Sequence, residues 1–487
     1  MATGVFESLA AGRQLSVIPA AGRVRIAVAA AILFVLYMGS YLAFWPRTPV
    51  TTGDSRGYMA MAQDLSDFRL DSPTIRTPGY PLLLLLTGAA QRPNRALMIV
   101  SLTLHFLAVG LLLALLHRFG LGFKSLLWLA MLLLLPPFTQ SAGFVLTESL
   151  AEFFLAITFV ATVAGLGTNR LSYLMAGSIG ACAAALVRPT YQFLPLVIPA
   201  TAWIVLFLSR RSRVYSKQCL RATVCLIAAA SLLLGGYSFY VYKRFGYFGL
   251  TYAAGINLSD KTARFVERLP SQYEPLRSLL IKYRDESLIS GQSHSAEQYV
   301  WNHWTDLKAA MNKDDVPLAK QLTKANIRLI ASNPINYLDS VGSALVTLLF
   351  PYTTPLATRG SIALQALWTA LHFMIIGLFF LQLWVVVGCE IFAQSVRIQP
   401  AEWSGGQAPA RETHFEFWIA YYLSVCFVAY TLLMSAGADT GNARFRSPVD
   451  ILLILNTVLG FWLWRNSVKS RVSAISSEAV EQMLPVR

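Results

Sequence analysis

The feature that most constrains this chain is a series of uninterrupted apolar runs that recurs along its 487 residues. Hydrophobic residues make up 55% of the sequence and charged residues only 13%. In a chain of this length, that balance is typical of a polytopic membrane protein and excludes an assembly of several water-soluble domains. Because lipid cannot hydrogen-bond to open backbone groups, the crossings are predicted to be α-helices.

A helix needs roughly 20 apolar residues to cross a hydrocarbon core of about 30 Å. By this criterion ten crossings are predicted, at residues 24–46, 95–117, 123–141, 148–167, 172–187, 190–208, 220–242, 362–392, 415–436 and 449–465. Residues 337–352 are apolar but short, and counting them would reverse the orientation of the last crossings, so an interfacial or re-entrant helix is predicted there. The expected fold class is an all-α bundle of about 10–12 transmembrane helices with helices lying along its outer face.

Basic residues set the orientation of this bundle. They cluster before the first crossing, in one short loop and after the last crossing, and the positive-inside bias places all three clusters in the cytoplasm. The clusters are Arg13, Arg23 and Arg25; Arg210, Arg211, Arg213, Lys217 and Arg221; and Arg465, Lys469 and Arg471. The net charge of +15 therefore needs no nucleic-acid partner, and part of it suits anionic membrane lipids.

Two longer polar stretches fall on the outer side by this topology. The first runs from 47 to 94. The second, 243–336, carries amphipathic helix-like pieces and is predicted to form a small extracytoplasmic helical domain. The chain then divides into a transmembrane module at 1–242, the outer domain, and a second transmembrane module at 337–487.

Cysteines and histidines give no framework for a disulfide scaffold or a metal site. Cys219 is assigned to the basic cytoplasmic loop, and the others lie in predicted crossings: Cys182, Cys225, Cys389 and Cys426. Reduced structural thiols are expected. His294 and His303 share an outer loop, but their spacing is not that of a zinc site.

The first outer stretch contains the most informative polar residues. Residues 53–58 have the sequence Gly-Asp-Ser-Arg-Gly-Tyr. If a helix begins here, Asp54 and Tyr58 lie on the same face, one turn apart. Asp54 is then the N-cap of that helix, a reactive carboxylate, or both.

A rigid turn follows at residues 76–81, with the sequence Arg-Thr-Pro-Gly-Tyr-Pro. Two prolines fix the backbone direction around a permissive glycine, so the turn aims the side chains of Arg76 and Tyr80. Arg76 is either a snorkelling interface cation or a phosphate ligand, for which a planar guanidinium is well suited.

Charged groups recur at later outer positions. Glu148 opens a crossing and Glu152 follows one turn later, so both are either acids facing a cavity or hydrated acids that the helix dipole favours. Arg188 opposes the positive-inside bias and calls for a partner, either a lipid phosphate or Glu148. Arg444 and Arg446 precede a Pro-started helix and suit an anion or an interfacial anchor.

In this order, the motifs resemble those of the GT-C superfamily of polyprenyl-phosphate-dependent glycosyltransferases. More narrowly, they are similar to bacterial relatives of protein mannosyltransferases and of lipid A aminoarabinose transferases. The resemblance covers nearly the whole chain as architecture. Its motifs are an Asp with a Tyr four residues on, Arg-x-Pro-Gly-Tyr-Pro, Thr-Glu-Ser-Leu, Val-Arg-Pro and Arg-Phe-Arg-x-Pro, within residues 53–86, 147–152, 187–190 and 444–448.

The resemblance implies an inverting glycosyltransferase of the bacterial inner membrane, with Asp54 as general base on the extracytoplasmic face. Many relatives carry an Asp-Glu pair at this position, whereas Ser55 follows Asp54 here, so Glu148 is expected to supply the second catalytic carboxylate. By the same resemblance, Arg76, Arg188 and Arg444 would bind the lipid phosphate. The full set of expected substrate-binding residues is Tyr58, Arg76, Tyr80, Arg188, Arg444 and Arg446.

The implied donor is a polyprenyl-phosphate sugar, and the implied acceptor is a glycan, a lipid or a protein. Residues 243–336 would cover the site and select the acceptor. Relatives that use a monophosphate donor generally work without a metal, so no cofactor or metal is expected. Two alternatives stay open: a flippase or transporter of lipid-linked sugar, and an inactive relative that only binds the lipid.

Overall fold

A computed structural model describes residues 20–69, 75–208, 213–290, 298–352, 354, 360–395, 409–438 and 442–465. Within these ranges the regular structure is helical, and the extended pairing is a single bridge between Val50 and Phe144. The predicted all-α polytopic class is confirmed at this level.

The helices are numbered in chain order. They are α1 (Ala20–Phe44), α2 (Gly53–Ser66), α3 (Gly79–Leu86), α4 (Arg95–Arg118), α5 (Phe123–Leu133), α6 (Pro136–Thr139), α7 (Glu148–Thr168), α8 (Leu171–Val187), α9 (Leu194–Leu208), α10 (Arg213–Ala229), α11 (Gly236–Phe245), α12 (Ala254–Thr262), α13 (Leu276–Ile289), α14 (Tyr299–Asn302), α15 (Trp304–Met311), α16 (Asp315–Ser332), α17 (Pro334–Leu349), α18 (Ile362–Ser395), α19 (Pro409–Ala438) and α20 (450–465). Short 3₁₀ turns stand at Gln140–Gly143, Pro189–Tyr191, Ala263–Arg268, Ser271–Tyr273 and Ala443–Val449.

Eight helical segments of the described chain are long and apolar enough to cross a membrane. They are Ile26–Phe44, Arg95–Arg118, Glu148–Thr168, Pro189–Phe207, Tyr215–Phe245, Ile362–Val386, Glu416–Ala438 and Ala443–Arg465. α5 and the segment Pro136–Gly143, which is α6 with the 3₁₀ turn after it, form a ninth candidate that is bent by 61°. α8 is a shorter apolar helix of 17 residues. All ten predicted crossings therefore fall on helices, although two of them fall short of the length or straightness of a simple span.

The predicted basic loop is shorter than expected, so its predicted bounds are wrong. α10 begins at Arg213, so Lys217, Cys219 and Arg221 lie on a helix, while residues 210 and 211 lie outside the described ranges. Helix formation here follows the side-chain pattern: Lys217 and Arg221 lie four apart and exposed, whereas Cys219 is buried on another face. A π-helical turn at Ala230–Gly235 then joins α10 to α11 without a break.

The ambiguous segment 337–352 is largely the helix α17. Its 16 residues span about 24 Å, short of a hydrocarbon core. Ser340, Ala344 and Leu348 are buried, whereas Ile335 and Leu338 are exposed, so one stripe packs on the protein. An interfacial or re-entrant position remains the prediction for this helix.

The outer domain has a hydrophobic core of its own. α12 to α16 and the 3₁₀ turn at Ala263–Arg268 supply most of that core, and its largest fully buried side chain is Tyr299. The domain also reaches the first outer stretch, because the Thr251 hydroxyl donates to the Ile75 carbonyl at 2.9 Å. This contact fixes the outer domain next to Arg76.

α7 is the central helix of the bundle, and small residues let α8 approach it closely. An added Cβ at Gly177 or Gly180 would come within 2.7 Å of Thr162 Oγ1 or 2.8 Å of Thr158 Oγ1. Small residues are the usual means of close helix contact in membranes. The N-terminal end of α7 and the C-terminal end of α8 therefore lie side by side.

At the opposite end of α7, an ion pair with a buried carboxylate ties three helices together. Arg118 Nη2 on α4 lies 2.9 Å and 2.7 Å from the two carboxylate oxygens of Glu416 on α19. Gly167 of α7 leaves the space that this carboxylate occupies. The pair closes the end of the bundle that the topology assigns to the cytoplasm.

Gly167→Ala is expected to destabilise the protein by about 1–3 kcal/mol, the usual range for an overpacked core. The new Cβ would collide with the Glu416 carboxylate, which cannot move without leaving Arg118. Thermal unfolding in detergent measures the effect. Gly110→Ala is the control, because its Cβ would meet nothing within 4 Å; equal melting temperatures for the two variants would contradict this packing.

Candidate active site

The start of α2 determines what Asp54 can contact. Thr52 is the N-cap residue, with φ −118° and ψ 177°, and its N–H donates to Ser55 Oγ at 2.8 Å. The interpretation of Asp54 as the N-cap is therefore wrong, since Asp54 lies inside the first turn. Its carboxylate is directed to side-chain partners.

The same end of α2 is fixed to the segment that leads into α7. Ser55 Oγ donates to the Val145 carbonyl at 2.9 Å. The bridge adds two backbone bonds, Val50 N to Gly143 O at 2.8 Å and Val145 N to Val50 O at 3.0 Å. These bonds set Asp54 beside the first residue of α7.

Three guanidiniums and two carboxylates meet at this place. Arg76 Nη2 lies 2.7 Å from Asp54 Oδ1, and Arg444 Nη2 lies 2.6 Å from Asp54 Oδ2. Glu148 Oε1 lies 3.3 Å from Arg444 Nε and 3.2 Å from Arg188 Nη1. We call the alternating set Arg76, Asp54, Arg444, Glu148 and Arg188 the arginine–carboxylate chain. Its formal charges sum to +1.

The two acids differ in access. The Asp54 side chain is 32% exposed, whereas that of Glu148 is 2% exposed. A ligand from outside can therefore reach Asp54 first. The contacts of Glu148 favour a role in holding Arg188 and Arg444 rather than the predicted role of a second catalytic carboxylate.

The protonation of Asp54 follows from its two cations. Burial raises the pKa of its carboxyl, but Arg76 and Arg444 lower it by more, and the net pKa is about 2. Asp54 is therefore ionised at neutral pH and can accept a proton. In this state, however, it is a weak base.

The turn that carries Arg76 is locked onto the end of α8. Thr77 Oγ1 donates to the Val187 carbonyl at 3.3 Å. Gly79 lets the backbones approach, since an added Cβ would lie 2.7 Å from the Leu186 carbonyl oxygen. Arg76 and Arg188 are thereby held on neighbouring pieces of backbone.

Aromatic rings support Arg76. The guanidinium carbon lies 4.6 Å from the centre of the Tyr58 ring, a cation–π distance, and Nη1 lies 3.4 Å from the Tyr58 hydroxyl. Tyr80 packs edge-on against Tyr58 at 5.2 Å and is 1% exposed. Tyr58 thus contacts a member of the arginine–carboxylate chain, whereas Tyr80 supports it from behind.

Phe445 is a site residue that sequence reasoning missed. Its ring centre lies 5.2 Å from the guanidinium carbon of Arg188 and 5.1 Å from that of Arg444. Both cations therefore lie within cation–π distance of this one ring. The sequence could have indicated it, because Phe445 lies directly beside Arg444 in the Arg-Phe-Arg motif.

Tyr352 is a second residue that was missed. Its backbone carbonyl accepts a hydrogen bond from Gln140 Nε2 at 2.5 Å, which fixes the segment after α17 beside the site. Burial and the nearby Glu148 raise the pKa of the Tyr352 phenol, Arg444 lowers it, and the net pKa is about 12. The phenol therefore lies within the electrostatic reach of the arginine–carboxylate chain.

Arg446 lies apart from the other predicted ligands. It is 1% exposed; its Nε lies 2.6 Å from Asp450 Oδ1, and Nη1 donates to the carbonyls of Leu348 and of Phe350, the latter at 3.1 Å. These contacts tie α20 to the end of α17. Arg446 is therefore left out of the site proposed below, because its guanidinium is already bound to Asp450 and to two backbone carbonyls.

Glu152 also differs from Glu148, although it lies one turn away. It pairs with His105 of α4, with 2.9 Å between Oε2 and Nδ1. The other ring nitrogen of His105 lies 3.0 Å from the Leu133 carbonyl oxygen. Both side chains are buried, and these contacts include no member of the arginine–carboxylate chain.

Gly57→Ala is expected to weaken use of an anionic ligand by about tenfold, on the scale of about 1.4 kcal/mol. A Cβ at this position would lie 3.1 Å from Arg76 Nε, so the guanidinium must shift by a few tenths of an ångström from the position that it holds in the site. Gly53→Ala on the same helix is the control, since its Cβ would meet nothing within 4 Å. Titration of each variant with a dialkyl phosphate measures the effect, and equal affinities would contradict the proposed contact.

No group of three potential metal-ligating His, Cys, Asp or Glu side chains occurs in the part of the chain that is described. No family model matches the sequence, and comparison with curated proteins gives no match. The established result is thus a multi-pass helical membrane protein with an arginine–carboxylate chain at one end of its bundle.

Proposed function

We propose that this protein is a membrane glycosyltransferase that moves a sugar from a polyprenyl-phosphate donor to an acceptor hydroxyl, with inversion at the anomeric carbon. The proposal is supported above all by one observation, the position of a partly exposed carboxylate between two guanidiniums. It places the reaction at the extracytoplasmic face of a bacterial inner membrane, in agreement with the distribution of basic residues.

Asp54 is the proposed general base. A hydroxyl is a poor nucleophile until a positioned carboxylate takes its proton, and this assistance is typically worth about 10²- to 10⁴-fold. The acceptor oxygen then bonds to the anomeric carbon while the bond from that carbon to the phosphate oxygen breaks. The proton ends on Asp54 and the bonding electrons end on the phosphate.

Arg76 and Arg444, with Arg188 behind them, are the proposed phosphate ligands. A phosphodiester donor carries one negative charge and would bring the net +1 of the arginine–carboxylate chain to zero. After transfer, the released phosphate monoester carries about −1.5 to −2 and Asp54 has gained a proton, so the site stays near neutrality. Fixed guanidiniums can stabilise such a leaving group without a protonating acid.

The outer domain is the proposed acceptor-selecting element. Its contact with Ile75 sets it beside the loop that carries Arg76, and Tyr252 of this domain lies within electrostatic reach of Arg76. An acceptor that approaches Asp54 would pass this domain. Glycan, lipid and protein hydroxyls all satisfy the chemistry.

A transfer assay tests the proposal. The purified protein in proteoliposomes would receive polyprenyl phosphates that carry labelled hexoses or pentoses, together with acceptors drawn from the cell envelope. Mass spectrometry of envelope glycans, with and without the gene, would identify the sugar to be used. Carrier-dependent incorporation of label supports the enzyme, and binding of the carrier with no transfer for any donor found in the cell would overturn it.

A second candidate function is transport of an intact lipid-linked sugar, which is favoured by the pair His105 and Glu152. Ionisable side chains buried at membrane depth often mark proton relays or transport pathways. The same proteoliposomes distinguish the two functions. Movement of intact donor between leaflets, lost in Glu152→Gln but retained in Asp54→Asn, would support transport over transfer.

A further inference from the structure

The two guanidiniums that would grip the donor phosphate are the same two that hold the base. Arg76 and Arg444 each bind a different oxygen of Asp54, at 2.7 Å and 2.6 Å. In this ligand-free state the carboxylate is bound on both sides. An acceptor hydroxyl and the two cations would compete for the same two oxygens.

Arg444 has a second anchor that does not depend on Asp54. Its Nε lies 3.3 Å from Glu148 Oε1, and Phe445 supports its guanidinium from one face. A guanidinium offers five N–H donors. Arg444 can therefore exchange Asp54 for a phosphate oxygen while Glu148 and Phe445 keep it in the site.

Arg76 is placed in a similar way. The face of Tyr58 and the lock of Thr77 onto Val187 hold it independently of Asp54. A planar guanidinium can bind phosphate and carboxylate in the same bidentate geometry. A donor phosphodiester is thus a direct competitor of Asp54 for both cations.

We propose, on the basis of the function proposed above, that binding of the donor phosphodiester draws Arg76 and Arg444 from Asp54 and so converts Asp54 into the active base. The donor then binds before the acceptor is activated. Without the donor, Asp54 stays paired with Arg76 and Arg444 and does not deprotonate a hydroxyl or water. Binding of the donor therefore activates the site.

The change in the pKa of Asp54 predicts whether the protein takes up or releases a proton when the donor binds. With both cations bound, the pKa of Asp54 is about 2. Released from them, the carboxyl returns at least to the ordinary value of about 3.9. Because the pKa rises on binding, the protein takes up a proton when donor binds at a pH near these values, and takes up none near neutrality.

The experiment is calorimetric titration of the full-length protein in detergent with a dialkyl phosphate, in pairs of buffers with different ionisation enthalpies. This probe has a single acidic group that stays ionised over the range used, so it contributes no proton of its own. We expect uptake of about half a proton per bound diester at about pH 4 and none at about pH 7. Asp54→Asn should abolish the uptake and bind the diester at least as tightly, because the competing carboxylate is gone.

Asp64→Asn is the matched control, since it removes a carboxylate from the same helix about 15 Å along its axis and should leave the uptake unchanged. Diester binding to the parent protein without proton uptake at about pH 4 would overturn this inference and leave the proposed function intact. Loss of diester binding in Asp54→Asn would overturn it as well. Absence of any diester binding would reject the proposed phosphate site itself, and the inference with it.

Discussion

Asp54→Asn is expected to lower the rate of sugar transfer by about 10²- to 10⁴-fold, the usual contribution of a general base. The amide has nearly the shape of the carboxylate but cannot accept the proton of an acceptor hydroxyl. Initial rates of transfer from a polyprenyl-phosphate sugar, at saturating donor, measure the loss.

The interpretation of that result depends on the fold staying intact. The Arg76 and Arg444 side chains are 21% and 16% exposed, so both guanidiniums keep access to water when Asp54 is replaced, and thermal unfolding should change little. Asp64→Asn, the same substitution on the same helix, should transfer at the parent rate. An Asp54→Asn variant within tenfold of the parent would reject the base assignment.

Arg444→Ala is expected to reduce kcat/KM for the donor by about 10²- to 10³-fold, the scale of a lost charge-stabilising contact in an active site. Arg444 alone touches both acids among the described residues, 2.6 Å from Asp54 and 3.3 Å from Glu148. Its loss therefore removes a phosphate ligand and also separates the two halves of the arginine–carboxylate chain.

Two further variants make this prediction specific. Arg444→Lys restores the charge but lacks the planar fork, so it should recover only part of the loss. Arg56→Ala removes an exposed arginine from α2 and should transfer normally. If Arg444→Ala behaves like Arg56→Ala, the charge at this position acts only through the net field of the protein, and the proposed contact with phosphate is wrong.

The site was predictable from sequence as a set of short motifs. The turn at 76–81, the acid that opens α7 and the arginine that ends α8 were each identified by a local rule on prolines, helix ends or charge placement. The functional roles assigned to them remain predictions. One such local rule also gave a wrong result, since the N-cap of α2 is Thr52 and not Asp54.

The partners of these groups were not predictable. Asp54 and Arg444 stand 390 positions apart yet lie 2.6 Å from each other. The two arginines of one motif also separate, because Arg444 joins Asp54 whereas Arg446, two residues on, pairs with Asp450 in the turn that starts α20. The backbone of the 3₁₀ turn directs the two side chains to different partners. No spacing rule predicts these directions from the sequence.

The sequence by itself determined that this chain is a helical membrane protein and roughly where each crossing lies. The free energy of transfer from water to lipid is a sum over about 20 consecutive residues, so it can be estimated from the sequence without the fold. Only the tertiary structure decided which charges meet, because an ion pair depends on distances of a few ångströms between segments remote in the chain. Those distances are set by the packing of α2, α7, α8 and the turn before α20.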